Sequence, residues 1–161
     1  MCCGAGEGDG IRQDVSSTYD KSGFPIIYGR RLKGLLRDKV ELMQGKGYIS
    51  SNMVEKIFGS GYIEGILRVG NAELNNIEEL KDELRGLTEE QRKIVNPAAI
   101  EDVYTADRYS TAIENGIAKD HSLRIVGTFP KGLEFKSLVE INCDKDSEEF
   151  AVIENACKLL R

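Results

Sequence analysis

Two groups of residues near the start of this 161-residue chain are of types that do chemistry. Asp14 and Asp20, with Glu7 and Asp9 nearby, are carboxylates that could transfer protons or bind a metal ion. They stand with Gly4, Gly6, Gly8 and Gly10, and glycines let a backbone approach a ligand closely enough to cradle a phosphate. The stretch lacks the Gly-Lys-Ser/Thr ending of a P-loop, and no recognisable strand precedes it as a dinucleotide-binding loop requires. Its plain alternative is a loop solvated by its own acids. The second group, Arg30, Arg31, Lys33 and Arg37, could replace the counterions of a nucleic-acid backbone or form only a solvated helix face.

Charge is distributed unevenly between these groups and the rest. Residues 1–46 carry 8 basic and 6 acidic side chains, whereas residues 47–161 carry 14 and 21, so the overall charge of −5 is segregated away from the cationic stretch. That balance argues against indiscriminate binding to nucleic acid or anionic membrane while allowing a local patch. His121 is the only histidine, and no Gly-x-Ser-x-Gly elbow accompanies it, so a loop or turn histidine is expected rather than a triad member. Cys2, Cys3, Cys143 and Cys157 form no Cys-x-x-Cys pair; the latter two are expected as small core residues of a strand and a helix. No apolar run spans a membrane, and MCCGAGEGDG lacks the plan of a secretion signal, which predicts a cytoplasmic protein.

The elements that must position these residues follow from periodicity. Residues 1–22 read as a loop, and residues 23–29 as a turn with a short extended segment. Leu32, Leu35, Leu36, Val40 and Met43 recur at helical spacing over Arg30 to Met43, with Arg30, Lys33 and Arg37 on another face. A short helix is expected over Asn52 to Phe58 and a strand over Tyr62 to Val69. Ile77, Leu80 and Leu84 mark a charged helix that Gly86 stops, and Thr88 with Gln91 makes a capping box opening a helix over Glu89 to Val95. Leu123 to Phe129 and Leu133 to Cys143 flank Pro130-Lys131-Gly132 and predict an antiparallel hairpin; Leu133, Phe135, Ser137, Val139, Ile141 and Cys143 share its buried side. Ser147 is placed to cap a final helix carrying Phe150, Ile153, Cys157 and Leu160.

The run from Tyr19 to Arg37, YDKSGFPIIYGRRLKGLLR, resembles the RAMP superfamily of CRISPR-associated proteins. That family carries an aspartate, a Gly-x-Pro turn, an apolar pair, Pro-Gly and a Leu-Lys-Gly-x-x-Arg helix. Ile57-Phe58-Gly59, the stretch from Thr111 to Asp120 and Ser122-Leu123-Arg124 resemble later family blocks, and the wording around Arg30 leans toward type III-D effector subunits. Tyr28 stands where the family usually has proline, which is expected to loosen the turn.

The resemblance implies an α+β chain with a ferredoxin-like, RRM-like domain, spanning 1–161 as one partial domain with an insertion at 45–121. The helix over Arg30 to Met43, the hairpin over Leu123 to Cys143 and the helix over Ser147 to Leu160 would be family elements. The first and last strands of the family are missing, so a truncated reading frame is expected. In function, it implies a cytoplasmic subunit of a type III CRISPR ribonucleoprotein that binds guide RNA and helps present or cleave complementary target RNA, with other effector subunits as partners and no membrane. RNA contact would fall to Gly8, Gly10, Gly29, Arg30, Arg31, Lys33 and Arg37. Asp14 lies six positions before Asp20, where target-cleaving members keep an acidic residue, making it the candidate catalytic residue. No tightly bound cofactor is implied; a divalent ion would serve RNA cleavage, its ligands unknown. The rival reading from the residues is a free-standing phosphate-ligand binder or enzyme using the glycine-rich loop.

Overall fold

A computed structural model describes residues 17–114, 117–118 and 122–160. In chain order these form β1 (Ile26–Ile27), α1 (Gly29–Gly45), α2 (Met53–Phe58), β2 (Leu67–Leu74), α3 (Ile77–Arg85), α4 (Glu89–Ile94), α5 (Pro97–Val103), β3 (Ala106–Ser110), β4 (Ile113–Glu114), β5 (Ile117–Ala118), β6 (Arg124–Thr128), β7 (Phe135–Ile141) and α6 (Glu148–Lys158). Helices and antiparallel strands alternate irregularly, as expected of an α+β chain. One sheet has the order β1-β2-β7, and β3-β6 and β4-β5 are separate two-stranded ladders. None of the helices among the described residues is long and apolar enough to cross a membrane.

The chain forms two compact units, one of Tyr28–Ala72 with Ser137–Arg161, the other of Met1–Ile27 with Glu73–Lys136. In the first, α1 turns Leu36 and Val40 inward, α2 contributes Val54, Ile57 and Phe58, and α6 contributes Val152, Ile153 and Ala156; all pack around Leu67 of β2. The buried residues of α6 are Glu149, Val152, Ile153 and Ala156: Ile153 is buried as expected and Leu160 packs partly buried against the cluster, but the rest of the stripe is offset by one position and Cys157 is exposed. The offset follows from the partners. Small Ala156 fits fully inside the cluster, while Glu149 is tolerated at the buried edge because the Lys56 amine bonds its carboxylate.

The expected strand over Tyr62 to Val69 instead begins at Leu67. Residues before it close a turn behind α2, with the Ser60 N–H donating to the Ile63 carbonyl at 2.9 Å and the Ile66 N–H to that of Lys56 at 3.3 Å. Burial along β2 also changes phase at the exposed pair Gly70-Asn71.

In the second unit, Phe24, Leu74, Ile77 and Ile100 form a smaller buried cluster. The Thr88–Gln91 capping box is formed as expected. Asn96-Pro97 starts α5, a helix the periodicity did not indicate, with Asn96 capping the Ala99 N–H and Pro97 in the first turn, where its missing N–H is harmless. The expected hairpin is corrected. β6 pairs with β3, from Ala106↔Thr128 to Ser110↔Arg124, while β7 neighbours β2. Backbone bonds from Asn142 to Ile66 and from Asn75 to Glu134 show that β2 and β7 run antiparallel. Alternation reveals that a segment is a strand and which side is buried; it does not name the partner. The expected sidedness of β7 holds, since Phe135, Ser137, Val139 and Ile141 are half-buried between exposed neighbours.

Candidate nucleic-acid interface

The cationic group sits at the start of α1. Tyr28 precedes the helix with φ −63° and ψ 136°, and its carbonyl accepts from the N–H groups of Arg31 (2.9 Å) and Leu32 (3.2 Å). That φ is the value a proline ring would impose, so tyrosine keeps the turn tight rather than loosening it. The tyrosine also brings a ring, and the Arg30 guanidinium lies 5.5 Å from its centroid, a cation–π distance.

Gly29 is required by packing. A Cβ there would lie 2.1 Å from the Val69 carbonyl oxygen, so β2 passes against bare backbone. The Gly29 N–H donates to Asn71 Oδ1 at 2.9 Å. Asn71 thus caps α1 from a different element, satisfying a donor that the helix leaves unpaired. Sequence reasoning missed this residue; its only signal was the polar pair Gly70-Asn71 interrupting an apolar alternation.

The rest of the basic stripe divides. Arg30 and Arg31 are exposed. Lys33 is half-buried, with its Nζ donating to the Leu67 carbonyl at 2.8 Å, and Arg37 bonds Glu41 Oε1 at 2.8 Å one helical turn on. Lys33 therefore fastens α1 to β2, and the charge of Arg37 is partly balanced by its own helix.

Of the acidic group, Gly8, Gly10 and Asp14 lie outside the described residues, as does His121. Asp20 is described and is structural. Its Oδ1 accepts from the N–H groups of Ser22 (2.8 Å) and Phe24 (2.9 Å), closing the turn that carries Gly23. Gly23 has φ +88°, and a Cβ there would meet the Pro97 carbonyl oxygen at 2.2 Å, which explains glycine at this point of the motif. Among the described residues, no three histidine, cysteine, aspartate or glutamate side chains gather to hold a metal ion.

Helices packed with antiparallel strands, α1 docked on β2 through Gly29 and arginines at its exposed start make an α+β architecture consistent with a ferredoxin-like class. The model of the RAMP superfamily matches residues 1–161, and the chain belongs to that family. Among solved structures it is similar to a chain in the cryo-EM structure of the Type III-B Cmr-beta bound to cognate target RNA. That match has TM-score 0.61 and 12% identity and covers 96% of this chain and 83% of that one. It is also similar to oligomeric Cmr4 from Pyrococcus furiosus (TM-score 0.47, 15% identity, 93% and 84% covered). A further crystal structure of Cmr4 gives TM-score 0.49 and 16% identity, with 100% and 87% covered. No curated protein sequence matches.

Proposed function

We propose that this chain is a cytoplasmic subunit of a type III CRISPR ribonucleoprotein that holds guide RNA and helps present complementary target RNA alongside other effector subunits. The observation that carries the reading is the start of α1, where Arg30 and Arg31 are exposed beside a glycine-docked turn in a chain matched along its whole length by the family model. A chain of similar fold occurs in the structure of the Type III-B Cmr-beta bound to cognate target RNA, which supports it. Arginines so placed bind phosphates and position a strand without reading bases. Lys33 has two further N–H donors beyond the one on Leu67 to offer the same backbone. The loop containing Gly8 and Gly10 would approach the RNA, with residues 45–121 as the insertion contacting RNA or a neighbouring subunit. Where the assembled complex cuts its target, Asp14 is the acidic residue assigned to that step, and a divalent ion would supply charge neutralisation at the phosphate.

The test is Arg30→Gln with Arg31→Gln, leaving Lys33 to hold α1. Binding of several guide sequences should weaken alike, and the slope of log affinity against log salt should flatten by about 1.4, since each single-strand phosphate contact contributes ~0.7. Unchanged affinity and slope would return both arginines to a solvated helix face.

A further inference from the structure

A second cationic site lies elsewhere in the chain, in the unit containing α3, α4 and α5. A cavity of about 510 Å³ is lined there by Lys21 from the turn after Asp20, Lys81 and Arg85 from α3, and Arg92 from α4. Leu84 and the largely buried Ile100 are among its apolar lining, and no carboxylate is among the described residues that line it. Lys81 and Arg85 stand one turn apart on α3 and Arg92 follows on α4, whereas Lys21 comes from far earlier in the chain, so no single run of basic residues announces the group.

All four cations line the cavity, and three of them also make contacts to groups outside it. The Arg92 guanidinium donates to the backbone carbonyls of Arg85 (2.8 Å) and Leu87 (3.1 Å) at the end of α3, and carbonyls fix its orientation without cancelling its charge. Arg85 pairs with Asp82 and Lys81 approaches Glu78 at 4.0 Å, both acids lying outside the lining. Lys21 is exposed. Four cations together with apolar residues in one lining suit a nucleic-acid strand, whose phosphates take the cations and whose base faces take apolar contact. The volume is that of a site for a nucleotide-sized group.

The geometry points to this cavity as a second RNA contact, in which Lys21, Lys81, Arg85 and Arg92 hold consecutive phosphodiesters of a single strand and a base rests on Leu84 and Ile100. The inference rests on the reading of this chain as an RNA-binding subunit and adds a place for the strand that the first helix does not supply. A free nucleotide shares the phosphate chemistry and is the other source to be distinguished.

The experiment uses the full chain and a mixed-sequence single-stranded RNA, with affinity read by fluorescence anisotropy across a salt series. Lys21 and Lys81 are the residues to change, because Arg92 also caps α3. Lys21→Gln with Lys81→Gln should lower affinity about 25-fold at 0.1 M salt and flatten the salt slope by about 1.4, the consequence of losing two contacts of ~0.7 each. Lys21→Arg with Lys81→Arg, which keeps both charges, should retain wild-type affinity. If the Gln pair binds like wild type while Arg30→Gln with Arg31→Gln loses binding, the cavity assignment is overturned and the proposed function stands. A wild-type chain that binds no RNA overturns the proposed function and the cavity assignment with it. Saturable binding of AMP that the Gln pair abolishes, with RNA affinity intact, assigns the cavity to a free nucleotide and overturns the RNA contact.

Discussion

The unit containing α1, α2 and α6 buries a cluster of ten apolar residues, including Val40, Ile57, Leu67 and Ala156 at 0% exposure. The unit containing α3, α4 and α5 buries a cluster of four, and along β3 every residue after Ala106 is exposed. The second unit instead uses polar geometry. Asp20 closes its turn through two N–H groups, Thr88 and Asn96 cap helices, and the Tyr19 hydroxyl bonds that of Thr105 at 2.6 Å. Burial pushes the Tyr19 phenol above its ordinary pKa, with its hydrogen bonds to Thr105 and Ser17 opposing that rise, so it stays a neutral donor or acceptor through the physiological range. The difference teaches where each unit is vulnerable. The six-residue α2 buries four apolar residues, whereas α4 buries none and α5 only Ile100, so those two short helices depend on the caps at their ends.

The comparison breaks most directly at Ile57. Truncation to Ala leaves a cavity in the larger core and should cost about 3 kcal/mol by urea denaturation, within the range for buried aliphatic deletions. A loss no greater than that of a turn residue in the other unit would show that the larger cluster is not what holds its unit.

Asp20→Ala is the matching probe of the smaller unit. Removing the acceptor for Ser22 and Phe24 should cost on the order of 1–2 kcal/mol and speed amide exchange at those two residues, with the amides of α1 and α6 unaffected. Equal acceleration throughout would mean that the two units unfold as one, and the contrast would lose its meaning.

The smallest effect sharpens the comparison by showing one polar bond at the edge of the apolar unit. Lys56 and Glu149 form an ion pair with side-chain exposures of 57% and 11%. The hydrogen bond to Lys56 holds the Glu149 carboxyl below its ordinary pKa, and the same bond raises that of the Lys56 amine. The carboxylate's contribution is therefore present above the ordinary carboxylate range and is lost as pH falls through the lowered folded value. The amine's contribution is present at neutral pH and is lost only as pH rises beyond the ordinary lysine range, about 10.4. Wild type should exceed Glu149→Gln in stability at pH 7, with the gap narrowing toward pH 3. A gap constant across that range would remove the pair from the account.

Much was legible from local pattern. The stripe of Leu36 and Val40, the stop at Gly86, the box of Thr88 and Gln91, the cap at Ser147 and the sidedness of β7 all depend on interactions within a few residues, and a sequence states those directly. Arg30 and Arg31 were found because they are adjacent on one helix. Asn71 as the cap of α1, Lys33 as its fastening to β2, the pairing of β6 with β3 and the cavity gathering Lys21, Lys81, Arg85 and Arg92 were not legible. Each joins residues that only tertiary contact brings together, and spacing along the chain carries no record of which strand or helix end will arrive. The sequence by itself determined the helices α1, α3, α4 and α6, the strand character of β6 and β7, the inward face of α1 and where a basic helix begins. Tertiary structure alone decided which strand pairs with which, which cations are committed to carbonyls and which line open space, because those outcomes depend on distances that chain order does not encode.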